Sequence, residues 1–224
     1  LCCEHASNDL HRPWGPDERL QQTHWAWDPG AAAMTRDLAR RMGSRAVLAR
    51  FSRLLIDANR PLYSGTLFRD QADGPVHLNQ DLPDATRLER IRRWWQPYHD
   101  ALEETCAAAP AQILLSIHSF TPQYEDQPPR EVEIGVLFEN DERMAARIRE
   151  ALAAHTRRDV RLNEPYSGKG GMMFSCYQHA RNNGLYAIEL ELRQDLLADP
   201  TVHSELLEAI AHAVPAALAQ ERGT

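Results

Sequence analysis

Cysteine is scarce in this chain, and the little there is does not pair. Cys2, Cys3, Cys106 and Cys176 form no CxxC motif and no disulfide-like spacing. Reduced core thiols in a cytoplasmic protein are the expectation. No apolar run approaches the roughly 18 residues that cross a bilayer, so no membrane role is expected. Nothing resembles a secretory signal, and because the chain opens at Leu1 rather than Met this says nothing of residues upstream. Basic residues are outnumbered, 25 Lys and Arg against 32 Asp and Glu, for a net charge of −7. They are also scattered, which argues against a nucleic-acid partner. A GxSxG elbow is absent and no base stands near a Cys in sequence, so Ser or Cys nucleophilic catalysis has no support. Repeats, low-complexity tracts and a convincing domain boundary are missing too.

What remains is ordinary globular material: 224 residues, 43% hydrophobic and 25% charged. The length suits a single domain over residues 1–224, large enough to bury a core without disulfides or structural metal. Any metal would then serve chemistry. Leu1 to Cys3 reads as the tail of a buried strand running into Glu4 and His5, and residues 9–27 read as loop. Asp28-Pro29-Gly30 predicts a helix start, with Asp28 as N-cap and an Ala-rich run to about Met42. Strands are expected over 45–51, 111–117, 132–138, 159–162 and 186–192, and helices over 84–108, 141–154, 174–182 and 200–221. Within 84–108, Leu88, Ile91, Trp94, Trp95 and Leu102 fall at core-like spacing. The polar stretch 52–83 is long enough to carry function. The alternation implies a three-layer α/β/α fold with a mixed, mostly parallel sheet.

In such sheets ligands gather at the carboxyl ends of strands, so polar residues just after apolar strands mark the site. His5 and His118 both stand there, and two imidazoles at the ends of two buried strands can converge on one metal ion, although a lone strand-end His more often makes a single backbone hydrogen bond. A catalytic zinc takes three His or carboxylate ligands and keeps one position open. Asp28 is a plausible third ligand, its ordinary role being the N-cap. Glu189 and Glu191 share one face of an otherwise apolar strand, where a carboxylate is costly to bury without a partner; surface exposure on an edge strand would resolve that cost equally well. Arg53, Asn59 and Arg60 place guanidinium and amide donors in one loop, suited to a substrate carboxylate, although solvated surface arginines are the common alternative.

These pieces together resemble the N-formylglutamate amidohydrolase family over most of the chain. The matching segments are CEHASN (3–8), HWAWDPGA (24–31), FSRLLIDANRP (51–61), SIHSFTP (116–122), PYSG (165–168) and ELRQDL (191–196). A more distant similarity is to zinc carboxypeptidases, whose SIHS, DANR and ELR segments correspond to His118, to Asn59 and Arg60, and to Glu191. The resemblance implies one zinc ion, other divalent metals being acceptable, on His5, Asp28 and His118. Where the carboxypeptidases carry an HxxE pair, Asn8 stands three residues after His5; the carboxylate ligand is therefore assigned to Asp28, with Glu4 as second candidate. Glu191 would be the catalytic base and Arg53 an aid to the oxyanion. Asn59 and Arg60 would hold the substrate carboxylate, Arg193 would orient Glu191 or touch substrate, and Lys169 could reach a side-chain carboxylate. The implied reaction is hydrolysis of a small N-acyl amino acid, foremost N-formyl-L-glutamate to formate and glutamate, a step of histidine breakdown in relatives. A peptidase or cell-wall amidase, and a binding protein without catalysis, stay open as alternatives. A monomer or small homo-oligomer is expected.

Overall fold

A computed structural model describes residues 1–11, 18–108, 111–124 and 126–222. In chain order the elements are β1 (Cys2–Cys3), α1 (Glu18–Gln21), α2 (Ala31–Met42), β2 (Val47–Leu48), β3 (Gln71–Ala72), β4 (Gly74–Pro75), α3 (Asp84–Arg90), α4 (Gln96–Ala107), β5 (Ile113–Phe120), β6 (Ile134–Leu137), α5 (Glu142–His155), β7 (Val160–Leu162), α6 (Phe174–Asn182), β8 (Tyr186–Arg193), α7 (Gln194–Ala198) and α8 (Pro200–Arg222). Six strands form one sheet in the order β2-β1-β5-β8-β6-β7, while β3 and β4 make a separate ribbon. Every pairing in the large sheet is parallel except β6 against β8. The expected mixed α/β architecture is therefore present.

Strand alternation sorts the two faces of this sheet. Leu115, Ile117, Ile188, Leu190 and Leu192 point to one side, where they pack with Met34, Leu38, Ile148, Leu152 and Ile210 of α2, α5 and α8. On the opposite side Leu114 and Ala187 join a second core with Leu102, Cys106 and Cys176 of α4 and α6. The same side then turns polar toward the strand ends. Ser116 pairs with Glu189 and His118 with Glu191 across β5 and β8. All four side chains are buried, two on each strand, a desolvation cost that function must explain.

Several local expectations are adjusted. Asp28 does not cap α2; the helix starts after Gly30, which adopts φ 84°, and no side chain caps it. The segment around 45–51 is mostly irregular, with two residues in β2. The predicted helix over 84–108 is α3 and α4 joined by a π-helical turn at Ile91–Trp95. Leu88, expected in the core, is 52% exposed. The expected loop over 9–27 contains α1, and its residues 12–17 lie outside the described residues.

The long stretch 52–83 is held as firmly as the sheet it covers. Arg90, buried at the end of α3, donates from Nη1 to Leu55 O (3.0 Å) and Asn79 Oδ1 (2.5 Å), and from Nη2 to Leu78 O (2.8 Å). Asn79 in turn donates to Leu54 O and Arg69 O. One guanidinium and one amide thus satisfy backbone carbonyls from three separate turns. Arg90→Met would leave these acceptors buried and unpaired, at about 3 kcal/mol or more. Urea unfolding should show that loss, against a change within about 0.5 kcal/mol for the exposed Arg92→Met.

Candidate active site

Three segments meet over the polar ends of β5 and β8, fastened by backbone bonds. Asp28 N donates to His5 O (2.9 Å), Arg53 N to Ala26 O (3.1 Å), and Ser52 N to Asp9 O (2.8 Å). Pinned in this way, the side chains of His5, Asp28 and Asp57 are carried against His118. The two imidazole rings lie 4.8 Å apart, edge to face. Asp28 Oδ2 stands 2.8 Å from His118 Nδ1 and 3.4 Å from His5 Nδ1. Donors bonded to one zinc at about 2.0–2.1 Å in a tetrahedron sit ~3.3 Å from each other, close to these separations.

The far nitrogen of each ring is also taken. His5 Nε2 contacts Asp57 Oδ1 at 2.8 Å, and His118 Nε2 contacts Glu4 Oε2 at 3.1 Å. Glu4 Oε2 additionally accepts from Ser116 Oγ at 2.6 Å. Carboxylates in these positions leave both rings presenting Nδ1 toward Asp28, the arrangement by which proteins orient imidazole ligands. Glu4 is thereby the partner of His118, while Asp28 stands between both rings. Asp57 fills a role with no counterpart in the sequence reading. Its Oδ1 accepts from Asn59 N (2.9 Å) as well, and its Oδ2 from Arg53 Nη2 (3.1 Å).

Charge in this region is unbalanced. Glu4, Asp28, Asp57, Glu189 and Glu191 are all buried. Burial alone would raise the Glu4, Asp28 and Asp57 carboxyls, yet their imidazole and Arg53 neighbours hold all three below the usual range. Burial opposes a charged His118, but Glu189, Asp28 and Glu4 carry it well above the ordinary imidazole value. Glu189 and Glu191 go the other way. Burial pushes both up, partly offset by His118, with neighbouring carboxylates adding to the rise. Glu4 Oε1, Glu189 Oε2 and Glu191 Oε2 find no hydrogen-bond partner among the described residues. Buried acids in excess of buried bases, with orphaned oxygens, form a site suited to a cation. Among the described residues the groups able to hold one are His5-Asp28-His118 and His118-Glu189-Glu191.

Above the cluster opens a cavity of about 370 Å³. His5, Asp28, His118, Glu189 and Glu191 line its floor, and Arg53, Asn59, Arg60, Arg69, Tyr124, Arg130 and Tyr166 its walls. Asn59 Oδ1 accepts from Ser175 N at 3.1 Å. Arg60 donates to Asn59 O (2.7 Å) and to Thr66 Oγ1 (3.2 Å). Arg53, raised in spite of burial by Asp57 and Asp28, is tied to the acids rather than free for a ligand.

Two expected residues are not brought here. Arg193 is absent from the lining, and its guanidinium is held by Asp195 and by Arg130 O, with Glu133 3.7 Å away. It is the last residue of β8, and α7 begins directly after it, with Asp195 in its first turn. Lys169 lies over the Phe138 ring, also outside the lining.

The family model for N-formylglutamate amidohydrolase matches residues 1–198. The chain belongs to this family. Among curated relatives, the N-formylglutamate deformylase of Pseudomonas aeruginosa is 29% identical over 182 residues, covering 70% of this chain and 66% of that protein. That of Pseudomonas putida is 28% identical over 188 residues, covering 74% and 68%. The matches thus span about two thirds of each relative's length. Of solved structures, a gene product of Agrobacterium tumefaciens superposes with a TM-score of 0.90 at 33% identity, covering 99% of this chain and 90% of that one. The N-formylglutamate amidohydrolase of Ralstonia eutropha gives 0.66 at 18% identity, covering 100% and 95%, which speaks for the shared fold.

His5, Asp28, Asn59, His118 and Glu191, all expected at the site, line one cavity together with Arg60, while Asp57 joins them through His5 and Arg53. If Asp57 orients His5 toward a cation, Asp57→Asn weakens that grip without emptying the core. Its affinity for Zn2+ should fall 10- to 100-fold in competition titration against a chromophoric chelator. An unchanged affinity would remove Asp57 from that role.

Proposed function

We propose that this protein hydrolyses the amide of a small N-acyl amino acid, N-formyl-L-glutamate foremost, using a zinc ion held by His5, Asp28 and His118. The observation that carries the reading is the pairing of Asp28 with both Nδ1 atoms while carboxylates occupy both Nε2 atoms. Membership of the amidohydrolase family and the names of the Pseudomonas relatives support the substrate. When bound, such an ion supplies Lewis-acid chemistry, acidifying water and polarising a carbonyl.

The protein's own groups divide the remaining tasks. Glu191, buried on the cavity floor with one oxygen unpartnered, takes the proton from the attacking water. It then returns that proton to the amine nitrogen as the C–N bond breaks, releasing formate and the amino acid. Its raised affinity for protons suits both halves of this exchange, since a carboxyl poised above its usual range is a better base and still a competent acid. Asn59 and Arg60, on the wall, orient the α-carboxylate of the substrate. Arg53, through Asp57 and Asp28, steadies the ligands. It faces the cavity as well, so it adds positive potential where negative charge develops on the amide oxygen.

Formate release from N-formyl-L-glutamate should be abolished by chelation and restored by zinc. Glu191→Gln should lower kcat 10²- to 10⁴-fold while zinc stays bound. Retained turnover in that variant would exclude Glu191 as the base, and full activity on peptides with none on N-formyl-L-glutamate would exclude the substrate. Stability carries an independent sign. Because the fold raises the Glu191 carboxyl, its contribution is present below the unfolded carboxyl range and is lost as pH rises through the folded value. The metal-free Gln variant should therefore unfold at higher urea than the parent at pH 7, and at the same urea near pH 4.

A further inference from the structure

The walls of the cavity hold more positive charge than one carboxylate needs. Arg53 is neutralised by Asp57 and Asp28, which leaves Arg60, Arg69 and Arg130. None of these three makes an ion pair with a described residue, and they differ in how far their donors are already used. Arg60 is drawn to its own loop by Asn59 O and Thr66 Oγ1, beside the Asn59 amide with which it shares the α-carboxylate task. Arg130 Nη1 donates to Thr121 O and Thr121 Oγ1, and its guanidinium is packed against the rings of Phe120, Tyr124 and Tyr166 at 5.5, 5.9 and 5.0 Å.

Arg69 is different. Its guanidinium rests over the Trp25 ring, 5.2 Å from the centroid, and no described acceptor takes any of its N–H groups. The backbone beneath it is fixed, Arg69 O being the acceptor of Asn79 Nδ2 at 2.6 Å. A guanidinium propped on a ring, anchored at its root, with all donors unspent and facing a cavity, is a preorganised carboxylate receptor. Burial disfavours its charge, and so do the neighbouring cations Arg53 and Arg60, against partial relief from Asp57. An incoming anion would remove that penalty.

Resting on the amidohydrolase reading, we infer that Arg69 binds the side-chain carboxylate of the substrate and so makes the site selective for acidic N-acyl amino acids over their amides. Trp25 is its platform, and two carboxylates on one ligand are met by two separate guanidinium groups, Arg60 and Arg69.

The test uses zinc-loaded Glu191→Gln protein, in which ligands persist, and calorimetric binding of N-formyl-L-glutamate and N-formyl-L-glutamine. With Arg69 intact, the glutamate ligand should bind 10- to 100-fold more tightly, the range expected of a charged hydrogen bond. Adding Arg69→Met should reduce that preference to less than about threefold with glutamine affinity nearly unchanged, and Arg69→Lys should keep part of it. Equal weakening of both ligands, or a preference that survives Arg69→Met, would overturn the assignment. The two readings fail separately. Native enzyme that prefers the acidic ligand but releases no formate sinks the hydrolysis and leaves Arg69 its role. Formate release with no preference between the two ligands does the reverse.

Discussion

Asp28 meets His5 and His118 in the interior, and the neighbouring elements are arranged around the electrostatic cost of that meeting. Removing a charged group from water costs several kcal/mol even after relaxation, and here five carboxylates are buried together. Arg53 compensates Asp57 and part of Asp28, and the His118 ring lies 3.1 Å from Glu4 and 3.4 Å from Glu189. Left without a hydrogen bond from any described residue are Glu4 Oε1, Glu189 Oε2 and Glu191 Oε2. Such a surplus of buried acid is one that a divalent cation would relieve.

The elements that bear this load are the ones whose patterns were plain in the sequence. The apolar run AQILLSI reads as a buried strand ending at His118; the strand in fact continues to Phe120, and its alternation puts Ser116 and His118 on one face and Ile117 on the other. Glu189 and Glu191 follow from the same rule on β8. Harder to read were the residues that act on the ligands. Asp57 sits in a loop with no periodicity, and its task depends on a hydrogen bond to a ring 52 positions earlier in the chain. The Glu4-His5 neighbours were ambiguous for a related reason: adjacency along the chain did not tell which imidazole the carboxylate would serve, and the pairing of β1 with β5 gave it to His118. Arg193 shows the limit of alternation: it shares the parity of Glu189 and Glu191 in β8, but its long guanidinium is held by Asp195 and Arg130 O outside the cavity.

Asp28 illustrates how a local preference yields to a tertiary one. An Asp before Pro-Gly at a helix start is a strong N-cap candidate, and a cap is worth about 1 kcal/mol. The chain instead passes through Gly30 in the left-handed region before α2 begins, and the carboxylate is released to face the imidazoles. Glycine is needed there twice over, because φ is 84° and because a Cβ would meet Leu197 Cβ at 2.7 Å. Helix α2 is left uncapped by any side chain, a small destabilisation exchanged for a carboxylate between two rings.

Asp57 joins the two halves of the site through a single atom. Its Oδ1 accepts from His5 Nε2 and from the backbone N–H of Asn59, so the oxygen that sets the tilt of one imidazole also sets the start of the wall that carries Asn59 and Arg60. Its other oxygen holds Arg53, which leans toward Asp28 at 3.7 Å. A rigid two-carbon acid at this node transmits position without adding freedom, whereas a Glu would reach the same atoms only by giving up rotamer entropy. The same two oxygens join the backbone of Asn59 and the guanidinium of Arg53 to the His5 ring, so the segment from Arg53 to Arg60 is tied to the cluster by hydrogen bonds.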